Sequence, residues 1–144
     1  MTWHANCFLI VTMMKKHPYF KIFLLDNDEE FQQILKKSCK KIMVRIDKDI
    51  NEKAALKRIV SSEYDHYFIN VDIPELNGRM VIRFINNIKD DPRIIAVTSG
   101  KGRETEGMVR SLGITYYLRK PVSMMELKSL ILKGEPELVI KNER

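Results

Sequence analysis

The chain has 144 residues, 44% of them apolar and 31% charged, a balance that fits one globular domain with a buried core and excludes a disordered polymer. A net charge of +6 admits acidic or nucleic-acid partners. The only two cysteines, Cys7 and Cys39, lack metal-type spacing, exclude a disulfide framework and suit a reducing cytosol, so a cytoplasmic protein is expected.

The longest apolar run, CFLIVTMM (7–14), is far too short to span a bilayer. Basic residues follow it and no small-residue cleavage site comes after, which argues against a secretory leader and any membrane role. Residues 1–20 read as an N-terminal extension that need not be ordered, and they receive no function. KIFLL (21–25) reads as a buried strand. In the helix that follows it, Phe31, Ile34, Leu35 and Cys39 share one face, with Asp28 as N-cap and Glu29 and Glu30 in the first turn. Lys36, Lys37, Lys40 and Lys41 close that helix. Without interleaved aromatic residues they suit a helix C-terminus better than a nucleic-acid patch.

KIMVRI (41–46) reads as a second strand, and residues 50–63 as a helix with Ala55, Leu56, Ile59 and Val60 inward. HYFIN (66–70) is a third strand, followed by a loop marked by Pro74, Asn77 and Gly78. A third helix, 79–88, places Val81, Phe84, Ile85 and Ile88 in register. RIIAVT (93–98) is a fourth strand, 102–112 a weaker fourth helix, and ITYYL (114–118) a fifth strand. The fifth helix spans 123–133, with Ser123 and Glu126 at capping-box spacing. Met108, Met124 and Met125 read as helix packing. Five alternations with short connections predict a parallel sheet with helices on both faces, one domain over 21–133 and a short polar tail over 134–144.

In such a sheet the chemistry belongs outside the carboxyl ends of the strands. Those ends carry Asp26, Asn27 and Asp28, then Asn70 with Asp72 two residues on, then Thr98 and Ser99, then Lys120 and Pro121. Acid, hydroxyl and ammonium groups from four segments thus converge on one rim. No Ser/Cys-His pair or nucleophile elbow appears, so neither a hydrolase nor any catalytic residue is expected. The acids of DNDEE would repel a flavin phosphate in the first loop.

This set resembles the receiver domain of two-component response regulators, over about Lys21 to Lys133. The resemblance implies a flavodoxin-like doubly wound sheet of order 2-1-3-4-5. It matches the family's acidic pair to Asp26 and Asn27, its hydroxyl to Thr98, its aromatic switch residue to Tyr117, and its Lys-Pro to Lys120 and Pro121. Pro74 and Gly78 align the phospho-accepting aspartate with Asn70. It further implies magnesium in the family's pocket, by position at Asp26, Asn27, Asn70 and Asp72. Partners would be a histidine kinase or downstream regulator, docked on a face built from 103–112, 116–119 and 124–131.

Both departures, Asn27 and Asn70, remove negative charge. A carboxamide oxygen is a poor nucleophile, so Asn70 should not accept a phosphoryl group. Magnesium prefers anionic oxygens, so little binding is expected and no cofactor is assigned. Asp26 should be roughly balanced by Lys120. Asn70 should bridge Asp26, Thr98 and Lys120 and lock the pocket in one state. The expected function is a phosphorylation-independent interaction module, either stand-alone or part of a longer regulator, with homodimerisation left open. The alternative is a working phospho-acceptor that uses Asp72 or another carboxylate. Nucleic-acid binding through the basic charge is the weaker third reading.

Overall fold

Six consecutive strand-forming residues, FKIFLL, make β1 (Phe20–Leu25), and all but Lys21 are buried. The burial follows from position, because β1 is hydrogen-bonded on both sides. The structure is a computed structural model that describes residues 19–40, 43–100 and 106–133. Chain order continues with α1 (Glu29–Ser38), β2 (Val44–Asp49), α2 (Glu52–Ser61), β3 (His66–Asn70), a 3₁₀ turn (Pro74–Leu76) and α3 (Gly78–Ile88). It ends with β4 (Ile94–Thr98), α4 (Glu106–Arg110), β5 (Tyr116–Arg119) and α5 (Met124–Lys133). The five strands pair in parallel, as their alternation with helices predicts, in the order β2-β1-β3-β4-β5 that the resemblance implies.

Two apolar layers cover the sheet. On one face Phe23, Tyr67, Ile69 and Ala96 pack under Ala55 and Ile59 of α2, Val81, Ile82 and Ile85 of α3, and Val109 of α4. On the other, Ile22, Leu24, Phe68 and Val97 pack under Phe31 and Leu35 of α1 and Leu127, Leu130 and Ile131 of α5. The alternation of β3 is visible here, with Tyr67 and Ile69 on one face and Phe68 on the other. Cys39 is buried in the second layer, and burial pushes its thiol up to about 12, which makes it an apolar filler rather than a nucleophile.

Several expectations shift. β2 runs over VRIDKD rather than KIMVRI, three residues later than the apolar run suggests. It is an edge strand, so charged side chains are tolerated along it, and hydropathy alone ends it too early. Lys41 and Ile42 lie outside the described residues. Val60 is exposed, as is Ile88. Both sit one turn position away from the stripe that faces the sheet, and Ile82 takes a core position instead. Met108, Met124 and Met125 are exposed rather than packed. Phe20 opens β1 and is buried, so the ordered domain begins before Lys21. Residues 1–18, 101–105 and 134–144, which include most of the extension, the first four residues of the expected fourth helix and the tail, lie outside the described residues.

Gly78 fixes how the loop after β3 returns to the sheet. A Cβ at that position would lie 2.1 Å from the Asn70 carbonyl oxygen. Only glycine lets the first turn of α3 rest on the end of β3. The preceding Asn77 adopts the left-handed conformation at φ 45° and ψ 52°, a conformation asparagine tolerates better than most residues.

Candidate functional site

Four strand ends build the rim. Asp26 follows β1 directly and is fully buried, as are Asn70 at the end of β3 and Thr98 at the end of β4. The ladder continues past the strands: Val71 N–H donates to Val97 C=O at 3.0 Å and Lys120 N–H to Thr98 C=O at 2.8 Å. Register therefore carries Asp26, Asn70, Thr98 and Lys120 side by side on one edge. The Lys120–Pro121 peptide is cis.

The acidic loop is tied to α1. Asp28 Oδ1 accepts from Glu30 N–H at 3.0 Å and Phe31 N–H at 3.3 Å, which caps the helix as expected. Asp26 Oδ1 accepts from Asp28 N–H at 3.1 Å. Lys120 Nζ then sits 2.9 Å from Asp26 Oδ2 and 2.8 Å from Asp28 Oδ2. The contact with Asp28 is a directed hydrogen bond. The one with Asp26 is off the bonding angle, so charge rather than orbital alignment holds it. The same ammonium lies 5.0 Å from the Phe31 ring centre. Hydrogen bonding to Lys120 is the main cause that holds the Asp28 carboxyl below its usual range, against the opposing effect of burial.

Asn70 makes a different contact from the expected one. Its Oδ1 accepts from Asp72 N–H at 2.8 Å, an Asx turn. Among the described residues it forms no bond to Asp26, Thr98 or Lys120. Asp72 takes that place instead. Thr98 Oγ1 donates toward Asp72 Oδ1 at 2.8 Å and Oδ2 at 2.9 Å, Ser99 Oγ donates to Oδ2 at 2.8 Å, and Ser99 N–H donates to the same oxygen. Burial pushes the Asp72 carboxyl up, but the Ser99 N–H, the two hydroxyls and the Lys120 charge outweigh it and leave it below the usual range.

Asn27 faces solvent, outside this network. Tyr117 is half-buried against the α2–α3–α4 layer, with the Arg110 guanidinium 5.8 Å from its ring, while Tyr116 packs on the other face. The expected balance of one acid and one lysine is therefore incomplete. The rim holds three carboxylates, Asp26, Asp28 and Asp72, around Lys120. Sequence reasoning placed Ser99, Asp28 and Asp72 on the rim but missed their contacts, Asp28 with Lys120 and Asp72 with Thr98 and Ser99. Nothing local in the sequence signalled where the Asp72 carboxylate would go.

Every carboxylate oxygen of Asp26, Asp28 and Asp72 thus already faces a donor or an ammonium. Among the described residues no group of three or more His, Cys, Asp or Glu side chains is placed to hold a metal ion. A cleft of about 230 Å³ opens beside Lys120, lined by Phe31, Ile34, Val122, Asp28 and Ser99 among others. No helix among the described residues is long and apolar enough to cross a membrane.

The sequence profile of the response regulator receiver domain matches residues 22–132. Stress response regulator protein 1 of Lodderomyces elongisporus is 29% identical over 83% of this chain and 33% of its own length. The transcriptional regulatory protein CrdR of Helicobacter pylori is 26% identical over 77% of this chain and 53% of its own. The chain thus spans only a third to about half of these curated relatives. Among solved structures, a two-component response regulator from Clostridium difficile superimposes with a TM-score of 0.70 at 23% identity, over 80% of this chain and 94% of that one. The receiver domain of a Pseudomonas aeruginosa sensor histidine kinase, solved with magnesium in its active-site cleft, gives a TM-score of 0.69 at 19% identity, over 81% of this chain and 97% of that one. At these identities the structural likeness establishes the fold alone.

Proposed function

We propose, from the premise that the chain belongs to the response regulator receiver domain family, that its pocket does not take up a phosphoryl group and that it signals through protein contact alone. Receiver domains of two-component systems work with histidine kinases and downstream effectors, and that level of function holds for this chain through its family. The finer reading rests on one observation. The buried side chain that ends the central strand β3 is a carboxamide, Asn70, whose oxygen already accepts the Asp72 N–H. A neutral, delocalised oxygen in that bond is a poor nucleophile.

The metal reading goes with it. Magnesium demands octahedral oxygen ligands and gives up its water reluctantly. Here Lys120⁺ lies between Asp26 and Asp28, and Asp72 is engaged by hydroxyls. This donor set does not fit a tightly held magnesium ion, and no step is assigned to one. The protein is then a cytoplasmic, non-enzymatic adaptor. A partner face would combine α4, β5 and α5, where Met108, Met124 and Met125 are exposed.

Intact-mass measurement after incubation of the purified chain with acetyl phosphate and magnesium chloride tests the reading. The expected spectrum shows unmodified chain only. A stoichiometric, hydroxylamine-labile phosphoryl adduct on Asp72 or any other carboxylate overturns it and establishes a working acceptor.

A further inference from the structure

We infer that Thr98 and Ser99 form an oxyanion site whose resident ligand is the chain's own Asp72 carboxylate. This deepens the reading of a pocket that works without phosphorylation and rests on it in one respect, since a phosphoryl group in the pocket would compete for the same donors.

Three donors converge on Asp72 from the end of the neighbouring strand: the Thr98 hydroxyl, the Ser99 hydroxyl and the Ser99 N–H. A fourth bond sets the polarity at Thr98. Gly100 N–H donates to Thr98 Oγ1 at 3.0 Å, so that oxygen is already an acceptor and its own proton is free to point at Asp72. Two hydroxyls and a backbone N–H on one anion are the arrangement that binds carboxylate, phosphate or sulfate oxygens. Thr98 is fully buried, so these donors are presented by the sheet rather than by a loose loop.

The ligand is delivered with equal care. Asn70 Oδ1 holds Asp72 N–H at 2.8 Å, which turns the residue toward β4. An aspartate at position 70 would place a second negative charge against Asp72, with buried Asp26 also on the rim. The neutral Asn70 removes that repulsion. The charge absent at position 70 is thus supplied two residues later, without a covalent step, and the end of β4 is held in its anion-bound arrangement permanently.

The test uses the full chain, amide-resolved NMR and inorganic phosphate as probe, with no phosphoryl donor present. In the wild type, millimolar phosphate leaves the Thr98, Ser99 and Gly100 amides unmoved because the site is filled. In Asp72→Ala the Ser99 amide exchanges with solvent at least about tenfold faster, and phosphate then shifts these three amides saturably and restores protection. Unchanged Ser99 exchange in the variant overturns the inference. So does a wild type that responds to phosphate as the variant does, or a variant that ignores it. If Asp72→Ala does not fold, the near-isosteric Asp72→Asn carries the exchange measurement, where faster Ser99 exchange supports the site and unchanged exchange sinks it. A phosphoryl adduct formed from acetyl phosphate would sink the proposed function by a separate readout.

Discussion

The molecule handles aspartates in two ways, at the sheet rim and at the β2 edge. At the edge, Asp47 and Asp49 face Arg45 and Arg58, with Arg45 Nε 3.0 Å from Asp47 and Arg58 Nε 2.8 Å from Asp49. Tyr64 adds a hydroxyl to Asp47 at 2.7 Å. Two carboxylates thus meet two guanidiniums, and both arginine side chains are largely solvated. At the rim, three carboxylates meet one ammonium, and the remainder of the field comes from hydroxyls and backbone N–H groups. Burial pushes the Asp47 carboxyl up, and Tyr64, Arg45 and Arg58 together bring it below the usual range. Asp72 reaches the same direction chiefly through fixed dipoles. Mobile charges in water and preorganised dipoles produce similar pKa directions but should respond very differently to mutation and salt.

Lys120→Met gives the sharpest break. Lys120 is 15% exposed and Asp26 is fully buried, so removal of the ammonium strands a charge with little access to water. A loss of about 3–5 kcal/mol in urea unfolding at pH 7 is expected. A loss below 1 kcal/mol would place the rim in the same regime as the edge. Gly78→Ala comes next. The new methyl meets a backbone carbonyl rather than a flexible side chain, so α3 must shift off β3. About 3 kcal/mol is expected from the same unfolding measurement, with the Asn70–Asp72 turn disturbed.

Gly78 also explains why so much of the site was legible in the sequence. The eight-residue spacing from Asn70 to Gly78 has a steric cause, so it located the end of β3 reliably. Asp26 follows a strongly apolar strand, Thr98 ends one and Lys120 follows the shorter β5, which fixes all three at strand ends. The alternation of strands and helices made the parallel sheet legible, while its strand order follows from the family resemblance rather than from the pattern. What could not be read was contact across the sheet. Asp72 and Thr98 are 26 positions apart, and only the β3–β4 register brings them together. The rotamer of Asp28 that serves both cap and Lys120 is likewise a tertiary choice. β2 was misplaced because an edge strand needs little hydropathy, and the exposed methionines because helical spacing does not say which side of a short helix meets the sheet.

Asp72→Asn is a milder change that separates charge from shape. The carboxamide can still accept one hydrogen bond, and the residue is only half-buried, so about 1 kcal/mol is expected at pH 7. The pH dependence carries the information. A carboxyl whose folded pKa lies below its unfolded value of about 4 stabilises the fold above that value. The contribution is lost as pH falls through the lowered folded pKa. The stability gap between wild type and Asp72→Asn should therefore close on acidification from pH 5 toward the lowered value. Asp28 and Asp47 lose stabilisation in the same direction in both proteins and cancel in the difference. A gap that widened with acid would mean that Asp72 is bound as the neutral acid.

Arg58→Ala at the edge is the smallest effect and the best control for the rim. The Arg58 side chain is 39% exposed and bridges Asp49 at 2.8 Å with a weaker approach to Asp47 at 3.9 Å. The Asp49 and Asp47 side chains are 12% and 10% exposed, and Asp47 keeps Arg45 and Tyr64 as partners, so the loss should stay below about 1 kcal/mol. It should also shrink as sodium chloride rises from low to physiological strength, because exposed pairs are screened over a Debye length of about 8–10 Å. The cost of Lys120→Met should not shrink in that way, since ions cannot approach buried Asp26. Measured side by side in a salt series, the two variants ask whether the rim is a dry electrostatic site or another surface ion-pair network. Parallel salt slopes would favour the latter, and Asp72 would then be exchangeable with any solvated anion.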